Sequence, residues 1–367
     1  MKKMLIGFVI DGKSGGVDKY ILSTVDMLRE DYEIDVLSTC KTPELDNWLS
    51  ERNARLVQVS SLKKPLAQYK EIDQLIKENK YDVAYLNTST AMMFPMLLAA
   101  KKNDVQHRIV HSHASDVDSN NKIIYRIKRV IHSICKLLIE KSANMYWSVS
   151  PVSALWMYTR KVISKKNFKV IPNSIDFNMY TFNQKEREEL RERYNIKDEI
   201  VVGHVSNFMP IKNTPFLVDI LKDVTDRNVD ARLLLVGEGP QKSLVMNKAK
   251  ELGLIDKIID VGFQSDVRPF YQMMDVFVLP SLKEGFPYVA LETQVNGLLC
   301  LLSEGVTKSA ILSDYCYLIK DIDDASMWSD KIVSCIPYDR VSNTVNKKAN
   351  QYDVSFAKKT IISSFGG

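Results

Sequence analysis

The sequence predicts an α/β protein built from two doubly wound parallel sheets. Short apolar runs alternate with longer helical patterns from the first residue, and the alternation restarts near residue 200 after a charged segment at 182–198. A chain of 367 residues also exceeds the size at which one hydrophobic core keeps growing. We therefore predict an N-terminal domain over 1–180, a C-terminal domain over 199–350, and a helix within 351–367 that can pack back on the N-terminal domain.

Short buried strands account for the apolar runs, because each run is too brief for a helix and is bounded by polar or turn-forming residues. In the N-terminal half the predicted strands cover 4–10, 33–38, 55–59, 82–86, 107–111 and 145–149. In the C-terminal half they cover 200–206, 232–236, 258–261, 276–279 and 299–302. Helical patterns fill the gaps, and two helices over 121–141 and 287–296 bear on function.

The composition excludes several functional classes. With 45% hydrophobic and 26% charged residues the chain is of the ordinary globular type, and a net charge of +5 is too weak to indicate nucleic-acid binding. The five cysteines are scattered without a CxxC pair, which favours a reducing, cytoplasmic setting. Asp11 interrupts the apolar start, so no signal peptide is expected, and no apolar run approaches the roughly 20 residues of a membrane span.

The segment PSLKEGFPYVALETQVNGL at 280–298 follows a predicted strand and carries two carboxylates. Pro287 suits the first position of a helix and Gly297 suits its end, so a short helix is expected between them. Glu284 precedes this helix and Glu292 lies inside it, where the two can bind separate hydroxyl-bearing parts of one ligand. Free N–H groups at the helix start suit a phosphate. The alternative is a capping acid with a solvated helical glutamate.

The segment HVSNFMPIKN at 204–213 joins a strand end to the next helix. Lys212 lies near the start of that helix, where a lysine can neutralise a diphosphate leaving group. Asn207, five residues earlier, can donate hydrogen bonds but brings no positive charge. An ordinary surface lysine is the alternative interpretation of Lys212.

Two glycine loops follow strands without the full dinucleotide-binding pattern. The first, SGGVDKY, contains Gly16 but lacks G-x-G-x-x-G. The second, LLLVGEGP, contains Gly237 and Gly239, with Lys242 where a third glycine would fall. Tight βα turns are the simpler interpretation of both loops, and an oxidoreductase is disfavoured.

The segment VHSHAS places His111 and His113 at the end of a strand, where open α/β sheets bind ligands. A metal site is one interpretation, but no third ligand is evident. A purely structural role for the pair is the other alternative.

The predicted helix at 121–141 is amphipathic. Its apolar stripe is expected to face the core, and the opposite side is strongly basic. The stripe consists of Ile123, Ile127, Val130, Ile131, Ile134 and Leu138, and the basic side consists of Lys122, Arg126, Lys128, Arg129 and Lys136. A basic face attracts anionic lipid at about 1 kcal/mol per well-placed charge. Peripheral contact with a membrane is therefore a hypothesis, and an ordinary surface helix is its alternative.

The run from 199 to 314 resembles the donor domain of retaining glycosyltransferases of family 4, the glycosyltransferase group 1 proteins of capsular and exopolysaccharide type. The spacing from Glu284 to Glu292 matches the E-x7-E motif of that family, and the flanking LPS and EGFP sequences fit it. The resemblance is looser in the first half of the chain. It implies the GT-B fold, in which two Rossmann-like domains face a central cleft.

The resemblance also implies roles for individual residues. In that family the first glutamate binds donor-sugar hydroxyls and the second binds the nucleotide ribose, while a lysine and an arginine bind the diphosphate. Here Asn207 replaces the arginine, so weaker leaving-group stabilisation or compensation by another cation is expected. The implied catalytic residues are His113, which would contact the sugar with His111 in support, Lys212 and Glu284. The implied donor-binding residues are Gly16, Asn207, Lys212, Glu238, Gly262, Phe263, Glu284, Gly285, Phe286, Pro287 and Glu292.

The implied reaction is retaining transfer of a hexosyl unit from a nucleotide sugar, with UDP favoured by the family, to a glycan or polyprenyl-diphosphate-linked acceptor in surface polysaccharide synthesis. No DxD pair ends a strand, so neither a metal nor another cofactor is expected. Two alternatives stay open. One is a nucleotide-sugar epimerase of the same fold, although no additional acid/base array is identifiable. The other is a catalytically silent binding or assembly homologue, which Asn207 suggests.

Overall fold

The computed structural model describes residues 1–9, 15–114, 116–117, 122–284 and 286–365. The chain forms two compact units. The N-terminal unit comprises Met1–Ser174 and Val354–Gly367, and the C-terminal unit comprises Ile175–Asp353. Among the described helices, none combines the length and the apolarity that crossing a membrane requires.

The N-terminal unit is built on a seven-stranded parallel sheet in the order β3-β2-β1-β4-β5-β6-β7. Its strands are β1 (Lys2–Val9), β2 (Tyr32–Ser38), β3 (Ala54–Gln58), β4 (Val83–Thr88), β5 (His107–Ser112), β6 (Met145–Ser148) and β7 (Phe168–Val170). Its helices are α1 (Gly15–Leu28), α2 (Pro43–Ser50), α3 (Pro65–Asn79), α4 (Pro95–Lys102), α5 (Lys122–Ser142), α6 (Pro151–Met157), α7 (Arg160–Ile163) and, from the chain end, α14 (Val354–Ser363). Every residue of β4 is buried, because helices cover both faces of the sheet.

The C-terminal unit is built on a six-stranded parallel sheet in the order β10-β9-β8-β11-β12-β13. Its strands are β8 (Ile200–Val205), β9 (Ala231–Val236), β10 (Ile258–Asp260), β11 (Val276–Leu279), β12 (Leu299–Ser303) and β13 (Cys316–Ile319). Its helices are α8 (Gln184–Arg193), α9 (Phe216–Asp226), α10 (Lys242–Glu251), α11 (Arg268–Met273), α12 (Tyr288–Val295) and α13 (Ala325–Cys335).

Strand order reverses once in each sheet, between β1 and β4 in the N-terminal unit and between β8 and β11 in the C-terminal unit. At such a reversal the loops that follow the two central strands diverge to opposite faces, which opens a crevice at their carboxyl ends. Ligand-binding residues are therefore expected directly after these four strands.

Each strand predicted from the sequence is present, and the described ends differ from the predicted ones by two residues at most. Ile10, the predicted end of the first strand, and Asn121, the predicted start of the helix at 121–141, lie outside the described residues. The edge strands β7 and β13 were not predicted. β7 has only three residues, so it gives almost no periodic signal, and the pattern around β13 is broken by polar residues.

The charged segment at 182–198 forms part of the C-terminal unit, where α8 is attached to the start of β11. Arg187 and Arg191 bind the carboxylate of Asp275 at 2.6 and 3.0 Å. At the other end of the chain, α14 belongs to the N-terminal unit, where Ile361 is buried in the core and Lys358 pairs with a surface aspartate at 2.9 Å.

The orientation predicted for α5 is wrong. The helix packs on its unit through His132, Cys135, Ile139 and Ser142, and the stripe expected in the core is exposed. Ile123 is 70% exposed, Val130 61% and Ile134 60%. At the 100° per residue of an α-helix, the centre of the stripe lies about 110° around the helix axis from the buried face, so the stripe points away from the core that the buried face contacts. Of the predicted basic residues, Lys122, Arg126 and Arg129 are exposed, whereas Lys128 and Lys136 are half-buried.

Candidate active site

Lys212 and Glu284 form an ion pair at the strand-order reversal of the C-terminal unit. Lys212 ends a short 3₁₀ turn after β8, and Glu284 lies in the loop after β11. Lys212 Nζ donates to Glu284 Oε1, and Ser281 Oγ donates to the same oxygen at 3.1 Å. Both charged side chains are mostly buried. The two residues predicted to serve different parts of a donor thus lie in direct contact, and Ser281 is a member of the cluster that the sequence did not single out.

Backbone contacts fix the loop that carries Glu284. The N–H of Leu282 donates to Ile211 O at 2.8 Å, and the N–H of Glu284 donates to Gly305 O at 2.9 Å. A Cβ on Gly305 would lie 2.4 Å from the carbonyl oxygen of Leu282, so this approach requires glycine. The loops after β8, β11 and β12 are therefore joined through main-chain atoms.

Glu292 lies inside α12 and is fully buried. Tyr271 of α11 donates its phenolic O–H to Glu292 Oε2 at 2.6 Å. Burial, and next the charge of Glu292, raise the pKa of Tyr271 well above its usual value, so the phenol keeps its proton. The helix begins at Tyr288, so Pro287 is the N-cap residue and not the first helical residue that was predicted, while Gly297 has the φ of +78° that suits a helix end. No sequence motif pointed to Tyr271, which lies 21 residues before Glu292 in the chain.

The glycines of the second loop allow two backbones to touch. A Cβ on Gly237 would lie 1.8 Å from Ser206 O, and a Cβ on Gly239 would lie 2.0 Å from Asn207 O. The loop after β9 thus packs directly on the loop after β8. Asn207 is exposed, so its side chain is accessible at the position where the family pattern noted above implies arginine.

Lys242 has an ionic role in place of the missing glycine. Its ammonium group pairs with Glu238 and lies 2.8 Å from Asp260 Oδ2. Burial lowers the pKa of Lys242, but the two carboxylates outweigh burial and leave that pKa raised. Glu238 is therefore already paired, and the sequence offered only its proximity to the glycines as a signal.

The strand end at 261–263 has one residue with an engaged backbone and one exposed side chain. The N–H of Gly262 donates to Asp260 Oδ1 at 3.1 Å, and its carbonyl accepts from Gly237 at 2.8 Å. The ring of Phe263 is 59% exposed. Of the two predicted nucleotide contacts, Phe263 is the one that presents an accessible surface.

Three predicted residues give less information about binding. Phe286 is nearly buried and stacks on Tyr352, with ring centroids 4.4 Å apart. Gly16 is exposed in the first turn of α1. Gly285 lies outside the described residues. Their proposed contacts with a donor stay predictions.

In the N-terminal unit His111 is locked in one protonation state. Its Nε2 lies 3.0 Å from Ile171 O, a group that can only accept, so Nε2 carries the proton. The Nδ1 atom then accepts from Tyr85, whose oxygen in turn accepts from Tyr20; both distances are 2.9 Å. Burial lowers the pKa of His111 to about 3. His111 is thus a buried neutral imidazole with both nitrogens engaged, and its supporting role beside His113 stays a prediction.

His113 lies beside this chain of hydrogen bonds, with its ring centroid 4.4 Å from that of His111 and 4.6 Å from that of Tyr20. Its Nε2 lies 3.0 Å from Asn87 Oδ1. Burial, and then the neighbouring His111, lower the pKa of His113 well below its usual value. His113 is therefore neutral at physiological pH.

His204 is the first residue of the segment at 204–213, and no role in catalysis or binding was predicted for it. Its Nδ1 donates to Val278 O at 2.8 Å, and its Nε2 accepts from Ser206 at 2.8 Å. Burial lowers the pKa of His204 to about 4. The side chain joins β8 to β11 and orients the loop that leads to Lys212.

Comparison with known proteins gives concordant matches over both halves. The family model described as Glycosyl transferases group 1 matches residues 186–350, and that described as Glycosyltransferase Family 4 matches residues 14–178. A putative glycosyltransferase EpsF of Bacillus subtilis (strain 168) is 25% identical over 300 residues, which is 80% of this chain and 77% of the relative.

A UDP-Gal:alpha-D-GlcNAc-diphosphoundecaprenol alpha-1,3-galactosyltransferase of Escherichia coli is 23% identical over 349 residues, 90% of this chain and 87% of the relative. Among solved structures, Anabaena Alr3699/HepE in complex with UDP is similar over the full length of both chains, with a TM-score of 0.79 and 18% identity. The predicted GT-B fold is confirmed. Because the two family models together take in most of the chain, this protein belongs to the family 4, group 1 glycosyltransferases.

Proposed function

We propose that this glycosyltransferase moves a hexosyl unit from a UDP-sugar to a lipid-linked or glycan acceptor in surface polysaccharide synthesis, with retention of the anomeric configuration. The observation that carries the proposal is the carboxylate of Glu284, held by Lys212 and Ser281 at the strand-order reversal of the C-terminal unit. A carboxylate accepts hydrogen bonds from sugar hydroxyls, and a neighbouring ammonium group suits a diphosphate.

In this mechanism the charge that develops on the leaving diphosphate is neutralised by Lys212. Since Lys212 is paired with Glu284, donor binding places the diphosphate and the sugar on a preassembled ion pair. Glu292, oriented by Tyr271, is the proposed ribose ligand, and the neutral His113 is the proposed contact to the sugar. The acceptor hydroxyl oxygen attacks the anomeric carbon from the face that the diphosphate leaves, the bond from that carbon to the diphosphate oxygen breaks, and the hydroxyl proton passes to the departing diphosphate.

Glu284→Gln tests this assignment, because it keeps the shape of the side chain and removes its charge. We expect transfer from a UDP-sugar to fall by at least about 100-fold. Glu251→Gln, an exposed carboxylate at the end of α10, is the matched control and should retain activity. Normal turnover by Glu284→Gln would exclude the proposed role. NMR of the product reports the anomeric configuration directly.

UDP is proposed because similar structures are described with UDP, and a polyprenyl-linked acceptor because one relative is named for a diphosphoundecaprenol substrate. A thermal-shift panel of UDP-, GDP- and ADP-linked sugars identifies the donor, since a ligand that binds only the native state raises the melting temperature. Stabilisation by GDP- or ADP-sugars alone would contradict the choice of UDP.

We also propose that transfer needs no metal ion, since Lys212 can supply the positive charge that a metal otherwise brings to the diphosphate. Turnover should be unchanged in excess EDTA. Loss of turnover in EDTA, restored by added Mg²⁺ or Mn²⁺, would contradict this.

Incubation with the donor alone distinguishes an epimerase from a transferase, because an epimerase would release a new nucleotide sugar without an acceptor. The silent-homologue alternative is tested with Asn207→Arg, which restores the charge that the family pattern expects. Donor binding without turnover, in both wild type and Asn207→Arg, would favour a binding or assembly role.

We further propose that α5 contacts an anionic membrane surface through its exposed apolar face. Apolar side chains on this face project to solvent over the length of the helix, and Lys122, Arg126 and Arg129 flank them. An apolar face with cations beside it suits a helix lying in the plane of the lipid headgroups. This differs from the basic-face contact expected from the sequence.

Co-sedimentation with phosphatidylglycerol and phosphatidylcholine vesicles tests the membrane contact. Val130→Glu should reduce binding to phosphatidylglycerol vesicles at least about tenfold, since it places a charge in the inserted face. Leu66→Glu, which alters an even more exposed apolar residue on α3, is the control. Equal binding by all three proteins would exclude insertion of α5. A concentration-dependent dimer that Val130→Glu dissociates would instead assign the face to a second copy.

A further inference from the structure

A second polar cluster lies where β4 and β5 end, beside the strand-order reversal of the N-terminal unit. Asn87 of β4 pairs in register with His111 of β5, and the N–H of His113 donates to Thr88 O at 3.0 Å. His113 lies one residue beyond the end of β5, with its ring centroid 4.4 Å from that of His111. Its Nε2 atom lies 3.0 Å from Asn87 Oδ1, which brings the two side chains together.

Asn87 has hydrogen-bonding capacity that the fold does not use. Its side chain is 1% exposed, and its Nδ2 group has no partner among the residues that the structure describes. A buried amide N–H₂ group without an acceptor is costly, and native proteins rarely retain one without a reason. In the described part of the chain, the Nδ1 atom of His113 likewise makes no hydrogen bond, and this residue is half-buried.

The unused groups of Asn87 and His113 are one donor and one acceptor. The amide oxygen of Asn87 only accepts, so His113 Nε2 carries the proton and Nδ1 is left as an acceptor, while Asn87 Nδ2 is left as a donor. If the amide were rotated by 180°, Asn87 would offer the acceptor and His113 Nδ1 the donor. Either arrangement complements a hydroxyl, which both donates and accepts, whereas an ionised phosphate offers acceptors only.

We propose that Asn87 and His113 together bind one carbohydrate hydroxyl group, with Asn87 as a specificity-determining residue in direct contact with substrate. This inference rests on the proposed sugar transfer and adds a residue that neither the motifs nor the family pattern assigned. The hydroxyl belongs either to the donor sugar or to the acceptor glycan, and the experiment distinguishes the two.

Asn87→Asp is the decisive variant. It preserves the size of the side chain and the oxygen that faces His113, but it replaces the N–H₂ donor with a carboxylate oxygen that only accepts when ionised and adds a negative charge beside His113. A role confined to holding His113 would survive this change, whereas substrate contact would not. Asn87→Leu removes both functions. Gln68→Leu is the matched control, because Gln68 on α3 is also fully buried with one unpartnered polar atom, and β3, which precedes α3, is separated from β4 by two strands of the sheet.

Dissociation constants for UDP-glucose, UDP-galactose, UDP-N-acetylglucosamine and UDP are measured calorimetrically for each protein, together with transfer to p-nitrophenyl glycosides. If the hydroxyl is on the donor, Asn87→Asp weakens binding of the preferred UDP-sugar about tenfold and leaves UDP unchanged. If it is on the acceptor, UDP-sugar binding is unchanged and the KM for the glycoside rises about tenfold.

The inference would be overturned if Asn87→Asp left both the dissociation constant for the UDP-sugar and the KM for the glycoside unaltered. Equal weakening of the binding of UDP and of the UDP-sugar would also overturn it. Equal effects of Asn87→Leu and Gln68→Leu would also overturn it, since they would indicate a general loss of packing. Failure of the proposed function has a different signature: the wild-type protein itself would then bind no UDP-sugar and catalyse no transfer.

Discussion

Tyr271→Phe should weaken nucleotide binding although Tyr271 is fully buried. Its phenol donates a 2.6 Å hydrogen bond to Glu292, the proposed ribose ligand, and both side chains lie in the interior of the C-terminal unit. A hydrogen bond to a charged group is worth about 1.5–3 kcal/mol. Removing the hydroxyl should therefore lower the free energy of unfolding by about 2 kcal/mol and leave the carboxylate of Glu292 less firmly oriented.

The expected loss of UDP affinity follows from the same hydrogen bond between Tyr271 and Glu292. If half or more of its free energy serves to orient Glu292 toward the ribose, the dissociation constant for UDP rises by about 5- to 30-fold. Calorimetric titration with UDP measures this effect, and denaturant unfolding measures the loss of stability.

Tyr158→Phe is the control for loss of a buried hydroxyl. Tyr158 lies in the N-terminal unit and donates to the backbone carbonyls of Trp147 and Val110 at 2.6 and 2.8 Å, whereas Glu292, the proposed ribose ligand, lies in the C-terminal unit. We expect it to lose stability while its affinity for UDP stays unchanged. Wild-type affinity in Tyr271→Phe would refute the reasoning that this bond positions a nucleotide ligand.

Gly239→Ala should lower the free energy of unfolding by at least about 2 kcal/mol, because the added Cβ would lie 2.0 Å from Asn207 O. Denaturant titration measures this loss. Gly253→Ala is the control, because its added Cβ meets nothing within 4 Å and the variant shows the cost of a positive φ alone. The buried His204 has a pKa of about 4, lowered from 6.5, so the unfolded chain takes up the proton first. The contribution of neutral His204 to the free energy of unfolding is complete above pH 6.5 and falls by about 3 kcal/mol as the pH drops to 4. His204→Gln should therefore flatten the measured dependence of the free energy of unfolding on pH over this range. Asp275→Asn should cost about 3 kcal/mol or more in the same assay, because two mostly buried arginines of α8 would lose their counter-charge.

The parts of the site that follow from local pattern were predictable from the sequence. Short apolar runs between turn residues predict buried strands, and the positions directly after β8 and β11 drew attention to Lys212 and Glu284. Contacts between distant segments were not predictable in this way. Nothing in the sequence connects Tyr271 with Glu292, because the two lie on separate helices and their contact depends on how α11 and α12 pack.

The orientation of α5 shows a second limit of sequence pattern. An amphipathic stripe predicts which residues share a face, but the surrounding elements decide which face is buried. In α5 a second series at helical spacing, His132, Cys135 and Ile139, fits against the unit, with His132 Nδ1 accepting from the N–H of Ala91 at 3.0 Å. The sequence contained this series, although its mixed polarity made it a weaker signal than the isoleucines.

The replacement of the family arginine by Asn207 has limited structural consequences, because backbone atoms determine the geometry of its loop. The carbonyl of Asn207 is held against Gly239, while its side chain is exposed and can change without moving the main chain. Lys212 differs, since its ammonium group is a direct partner of Glu284. The only effect expected of Asn207→Arg is therefore a change of charge near the proposed diphosphate. A substitution at Lys212 changes that charge and also removes the ammonium group that holds the carboxylate of Glu284 in place.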